Sequence, residues 1–131
     1  MTAHEEINPW EWSKAFGFSQ AVKLTEPGEL LICSGQTAMG SDGSLPDSAD
    51  MGDQVRVAFD NVVAVLAAAG MTPQHIVKST IYTTDVDACI GVLGMEAQRI
   101  LGSSLPASTL IGVSRLAFPE LKVEIEVTAA Q

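Results

Sequence analysis

The run Lys122-Val-Glu-Ile-Glu-Val-Thr128 most constrains what this chain can fold into. Apolar and polar residues alternate strictly along it, the period of a strand with one covered face. Val123, Ile125 and Val127 share that face, and Glu124 and Glu126 share the other. Burying an unpartnered charge is costly. The two carboxylates must therefore be solvated, paired or used in chemistry. Residues 105–129 as a whole read as two strands joined by a turn containing Pro119.

At 131 residues the chain is one domain's length. A chain of that size buries roughly two thirds of its unfolded surface, enough for a core without disulfides. No apolar run approaches the ~20 residues of a membrane span. The first residues are acidic and unlike a signal peptide, so a cytoplasmic location is expected. Cys33 and Cys89 lack metal or redox spacing and are expected as reduced core thiols. His4 and His75 form no metal-ligand pattern, and neither is placed to activate Cys33. No metal site is expected. The formal charge of −9, with seven scattered basic residues, argues against a nucleic-acid surface, which needs clustered Lys and Arg. No membrane partner is expected either.

Residues 1–17 read as an irregular segment ahead of a single domain over 18–131, with Trp10 and Trp12 either anchoring it or lining a pocket mouth. Residues 18–24 and 29–36 read as strands, and Thr25-Glu-Pro-Gly28 between them carries turn chemistry. A hairpin is the simplest pairing. Ser34-Gly35-Gln36 interrupts the second strand, and a glycine there allows close approach of a backbone or ligand. Residues 37–49 read as a surface loop. Residues 51–69 form the strongest helix, with Met51, Val55, Phe59, Val62, Val63 and Leu66 at helical spacing. Ser48 or Asp50 can cap its start and Gly70 can end it. Residues 75–84 are rich in β-branched residues and read as a strand. Asp85 can cap a second helix over 86–101, with Val86, Ile90, Leu93 and Ala97 on one side.

The expected order is β-β-α-β-α-β-β. Two helices on one face of a mixed sheet make a two-layer α+β domain. Such a domain leaves one sheet face for water or another subunit. Glu124 and Glu126 lie on that face if the valines and isoleucine pack on the helices. A half-apolar face carrying charges suggests an oligomer with clefts between subunits.

Phe18-Ser-Gln-Ala-Val, Ile32-Cys-Ser-Gly-Gln36, Phe59-Asp-Asn-Val with Ala67-Ala-Ala-Gly70, Ile76-Val-Lys-Ser-Thr-Ile-Tyr-Thr-Thr-Asp85, Leu105-Pro-Ala107 and Val123-Glu-Ile-Glu126 occur in this order. The ordered set resembles the RidA family, also called YjgF/YER057c/UK114, over about residues 18–129. The resemblance implies a chorismate-mutase-like fold. It also implies a homotrimer whose sheets pack into a central barrel, with small-molecule sites at the subunit interfaces. Archetypal members of that family hydrolyse reactive enamines and imines, such as 2-aminoacrylate, to 2-keto acids and ammonia without a cofactor.

Carried over position by position, the glutamate that positions the attacking water is Glu124. The Ser-Gly pair that lines the pocket is Ser34 and Gly35. The aromatic wall is Phe18, where many members have tyrosine. Leu110 joins the pocket lining. The substrate-carboxylate arginine of the family falls on Ser108. A guanidinium holds a carboxylate through two charge-assisted bonds of roughly 1.5–3 kcal/mol each, which a hydroxyl cannot replace. Arg115 is an odd number of residues from Ser108, so strand parity sets it on the opposite face. It is expected at a rim, paired with Glu120.

Three readings follow. The first is a RidA-like hydrolytic deaminase of a reactive imine or enamine that is not a simple 2-imino acid, with Glu124 as base and no cofactor. The second is a non-catalytic small-ligand-binding trimer on the same scaffold, since fold does not fix function. The third, ribonuclease or translational inhibition, is a label some family members carry, and the acidic balance disfavours it.

Overall fold

The computed structural model describes residues 3–131. Six strands and two α-helices follow one another as β1 (Ala3–Ile7), β2 (Ala21–Thr25), β3 (Leu30–Ile32), α1 (Met51–Ala68), β4 (Ile76–Thr83), α2 (Val86–Leu101), β5 (Ala107–Gly112) and β6 (Val123–Ala130). Short 3-10 turns occupy Trp12–Phe16 and Pro73–His75. The main sheet has the order β3-β6-β4-β5. β6 runs antiparallel to both its neighbours, and β4 and β5 are parallel. Parallel neighbours need a crossover, which α2 supplies. The two-layer α+β, chorismate-mutase-like reading holds.

β6 is central because its sequence suits both layers. Val123, Ile125 and Val127 are buried against α1, and Ala129 continues the row. Ile76 and Ile81 of β4 extend the same apolar face. α1 meets it with Met51, Val55, Phe59, Val62 and Leu66, all buried, at the spacing expected from the sequence. Val63 is only half-buried. Asp50 caps this helix by accepting a bond from the Asp53 N–H at 3.0 Å. Asp85 does the same for α2 through the Ala88 N–H. The Gln54 amide is buried and fully engaged. It donates to the Ser48 and Glu120 carbonyls and accepts from the Lys122 N–H, so it pins the approach to β6.

Four expectations change. The 18–24 and 29–36 stretches do not form a hairpin. β2 pairs with β1 in a separate two-stranded sheet, whereas β3 pairs with β6. Residues 1–17 are not irregular, since within the described part they hold β1 and a 3-10 turn. β5 and β6 are not adjacent, because β4 lies between them and residues 113–122 cross over it. The face of α2 carrying Val86 and Ile90 is not its buried face. Cys89, Glu96 and Leu101 are buried, and Ile90 is 53% exposed.

Ile125 is fully buried. Ile125→Ala should therefore cost about 2–5 kcal/mol and Ile125→Val about 0.5–1.5 kcal/mol. Denaturant unfolding at fixed protein concentration measures both. Equal, small losses would mean that β6 is not the centre of the core.

Candidate functional site

The register of the sheet sorts the candidate residues onto two faces. Tyr82 lies opposite Glu124, and Ser79 opposite Val127 and Ser108. Side chains alternate across a sheet. Lys78, Thr80, Tyr82, Glu124 and Glu126 therefore share the face turned away from the helices. Ser79, Ile81, Ser108 and Leu110 share the face toward them.

On the open face, the segment after β3 follows β6, through a backbone pair between Gln36 and Ile125. That brings Gly35 beside Glu124. A methyl group at Gly35 would overlap the Glu124 Oε2 and stand 2.6 Å from its Cδ. The glycine is required here for space. The Tyr82 hydroxyl donates to Glu126 Oε1 at 2.9 Å. Among the described residues, no hydrogen bond reaches the Glu124 carboxylate, although it is half-buried. Its oxygens are left to solvent or a ligand. Ser34 is exposed next to Gly35. A small hollow of about 160 Å³ beside Glu126 is bounded by Ile32, Cys33, Lys78, Thr80 and Thr128. Burial pushes the Cys33 thiol above its usual range, which disfavours the nucleophilic thiolate.

The larger cavity is on the other face and does not include Glu124. It measures about 540 Å³, within the range of small-molecule sites. Phe18, Ser108 and Leu110 line it, beneath a wall of Trp12 and Phe16 and against Leu93, Gly94 and Ala97 of α2. Trp12 meets Phe16 and Phe18 edge-on, with ring centroids 6.1 and 5.8 Å apart. Ser79 Oγ donates to Ser108 Oγ at 2.8 Å. Among the described residues, no charged side chain lines this cavity. Thus Glu124, Gly35 and Ser34 come together, as do Phe18, Ser108 and Leu110, but the two groups face opposite ways within one protomer.

Arg115 joins neither group. It lies beyond the end of β5, and its guanidinium donates to the Leu116 and Ala117 carbonyls instead of pairing with Glu120. Trp12 lines the cavity, whereas Trp10 is exposed and outside its lining. Sequence reasoning missed Ser79 and Tyr82. Both were accessible in principle, because alternation along β4 sets Ser79 with Ile81, and Tyr82 with Lys78 and Thr80. Among the described residues, no cluster of His, Cys, Asp or Glu is placed to hold a metal ion.

The chain as a whole resembles known proteins. The family model described as Endoribonuclease L-PSP matches residues 11–131. Protein mmf2, mitochondrial, of Schizosaccharomyces pombe is 30% identical over 127 residues, covering 95% of this chain and 96% of that protein. The 2-iminobutanoate/2-iminopropanoate deaminase of Escherichia coli is 32% identical over 113 residues, covering 84% of this chain and 86% of the enzyme. The crystal structure of a Rid-family protein of unknown function, YyfB from Yersinia pestis, superposes with a TM-score of 0.85 at 33% identity and 98% coverage of both chains.

The hydrogen bond to Glu126, followed by burial and the nearby carboxylate charges, holds the Tyr82 phenol above its usual range. A raised folded-state pKa adds stability that is complete below the unfolded value and disappears as pH rises through the folded value. Tyr82 is the only tyrosine, so ultraviolet titration reads it without overlap. Its phenolate should form at higher pH than in the unfolded chain, and Glu126→Gln should move it back toward the ordinary value. An unchanged titration in Glu126→Gln would separate Tyr82 from Glu126.

Proposed function

The chain belongs to the RidA (YjgF/YER057c/UK114) family, matched by the Endoribonuclease L-PSP model, and we propose that it is a hydrolytic deaminase of a reactive imine or enamine other than a simple 2-imino acid. The observation that carries this reading is the Glu124 carboxylate, free of protein hydrogen bonds among the described residues and set against the space left by Gly35. The likeness to an imine deaminase of E. coli supports the reaction class. The uncharged cavity at Ser108 supports the departure in substrate.

In this reading Glu124 accepts a hydrogen bond from a water and takes its proton as the oxygen attacks the imine carbon. The new C–O bond yields a carbinolamine. The proton held by Glu124 passes to the nitrogen, Glu124 then takes the carbinolamine's hydroxyl proton and delivers it to the same nitrogen, and as the C–N bond breaks the carbonyl forms and ammonia leaves. Glu124 ends as it began, a carboxylate. No cofactor takes part in the sequence.

One ligand cannot touch both faces of a sheet within one protomer. We therefore read the site as composite, with Glu124, Gly35 and Ser34 from one copy and Phe18, Ser108 and Leu110 from another. A homotrimer with its open sheet faces turned inward as a barrel supplies that arrangement. The open face favours such burial, because it exposes Leu30 and Ile32, the latter at 76%. We infer a cytoplasmic location, although the fission-yeast relative is by its name mitochondrial. Ligand binding without turnover is the second reading, favoured by the absence of a cation beside Ser108.

Imines generated in place by an amine or amino-acid oxidase should lose ammonia faster with the protein present. Glu124→Gln should reduce that acceleration about 10²–10⁴-fold, the usual span for a lost general base. Gly35→Ala should also reduce it by displacing Glu124. If wild type, both variants and buffer all match, the enzyme reading fails. Ligand-dependent thermal stabilisation without turnover would then support the binding reading.

The composite site has its own test. Glu124→Gln chains refolded together with Gly94→Phe chains, whose new ring fills the cavity, should recover part of the activity that each lacks alone. Light scattering should give a mass three times the 13.8 kDa protomer. No recovery in a verified mixed trimer would place the site within one copy.

A further inference from the structure

We propose that the substrate is a carboxylate-free imine with a ring-sized apolar body, which the helix-side cavity holds beneath Trp12, Phe16 and Phe18. This deepens the reading above and rests on it, because Glu124 must come from the neighbouring copy. Three features select that chemistry. The lining side chains are apolar apart from the hydroxyls of Ser79 and Ser108 and the indole N–H of Trp12. A carboxylate there would be unpartnered and would approach Glu124 of the neighbouring copy, which is unfavourable. Trp12, Phe16 and Phe18 give the cavity an aromatic wall that suits a ring-sized guest.

The hydroxyl pair fixes the head group. Ser79 Oγ and Ser108 Oγ are hydrogen-bonded to each other at 2.8 Å, which leaves the pair one proton to donate and lone pairs to accept. An imine N–H can use both, accepting through its nitrogen lone pair and donating its proton. A donor bonded to one hydroxyl polarises the next, so this pair is a stronger anchor than a lone serine. Ser108 thus determines specificity.

Gly94 provides a control that does not depend on the fold failing. It lines the cavity, and a Cβ there would meet nothing within 4 Å. It also lies inside α2, where replacing glycine favours the helix. Gly94→Phe should therefore remain folded while filling the site.

Two isosteric molecules, benzamide and benzoate, can be titrated against the trimer while tryptophan emission is read, with Trp10→Phe used so that the signal comes from Trp12. Benzamide should quench in a saturable way and raise the melting temperature. Benzoate should bind at least tenfold more weakly. Gly94→Phe should abolish the benzamide signal, and Ser108→Arg should reverse the preference toward benzoate. Benzoate binding as tightly as benzamide to wild type, or no saturable benzamide signal, overturns the proposal. Absent turnover in wild type with retained benzamide selectivity would strike the deaminase reading and leave the cavity's chemistry standing, and turnover without that selectivity would do the opposite.

Discussion

The strict alternation along β6 is the constraint on which the rest of the molecule depends. Its inward residues are almost wholly buried, and its outward ones are carboxylates. A slip of one residue would drive Glu124 and Glu126 into the apolar layer and turn three branched side chains to the open face. The charge penalty makes that alternative far less stable, so the register is fixed. β6 also lies between β3 and β4, so its register sets theirs. Gln54 adds a polar clamp at its start, with donors and acceptor all engaged inside the fold.

The same alternation divides the chemistry. A sheet of this kind cannot present Glu124 and Ser108 to one side, because the pairing through β4 gives them opposite parity. Each face then develops the character its neighbours permit. The open face carries polar β4 residues, a tyrosine held by one glutamate, and a second glutamate left without a protein donor among the described residues. The helix-side face carries the apolar surface that α1 covers at one end and leaves uncovered under the N-terminal aromatics at the other.

Much of this was legible in the chain. β4, β6 and both helices are read within a residue or two, because each has strong periodicity and a cap. Asp50 and Asp85 act as caps. The strand partners were not legible. The turn at residues 25–28 does reverse the chain, with Glu26 at a φ of 52°, but a turn does not say which strand lies beside it. Residues 28 and 29 bond instead to the carbonyl of Gln131, the last residue of the sequence. β1 was hidden because Ala3-His-Glu-Glu-Ile7 has little β-branched content, so β2 seemed to lack any partner but β3. The candidate residues could be found singly, and their parity could not, because parity between β5 and β6 depends on β4 lying between them. Arg115 was misplaced because β5 ends at Gly112 and the chain then leaves the sheet.

The remaining question is whether some other cation replaces the arginine absent at Ser108. The chain has seven basic residues. Lys14, Arg56 and Arg99 are paired with acidic neighbours, Arg99 with both Asp60 and Glu96. Arg115 is turned onto backbone carbonyls in its own loop. Lys78 bonds to Thr109 on the open face, away from the cavity. Lys23 belongs to the small sheet, and Lys122 precedes β6 at the end marked by Gln54. None lines the cavity. A chain that sets no basic side chain in its own cavity and fills the arginine position with a hydroxyl leaves that wall without positive charge. The wall then selects a ligand by shape, apolar area and hydrogen bonding to the hydroxyl pair, and it offers a carboxylate no charged partner.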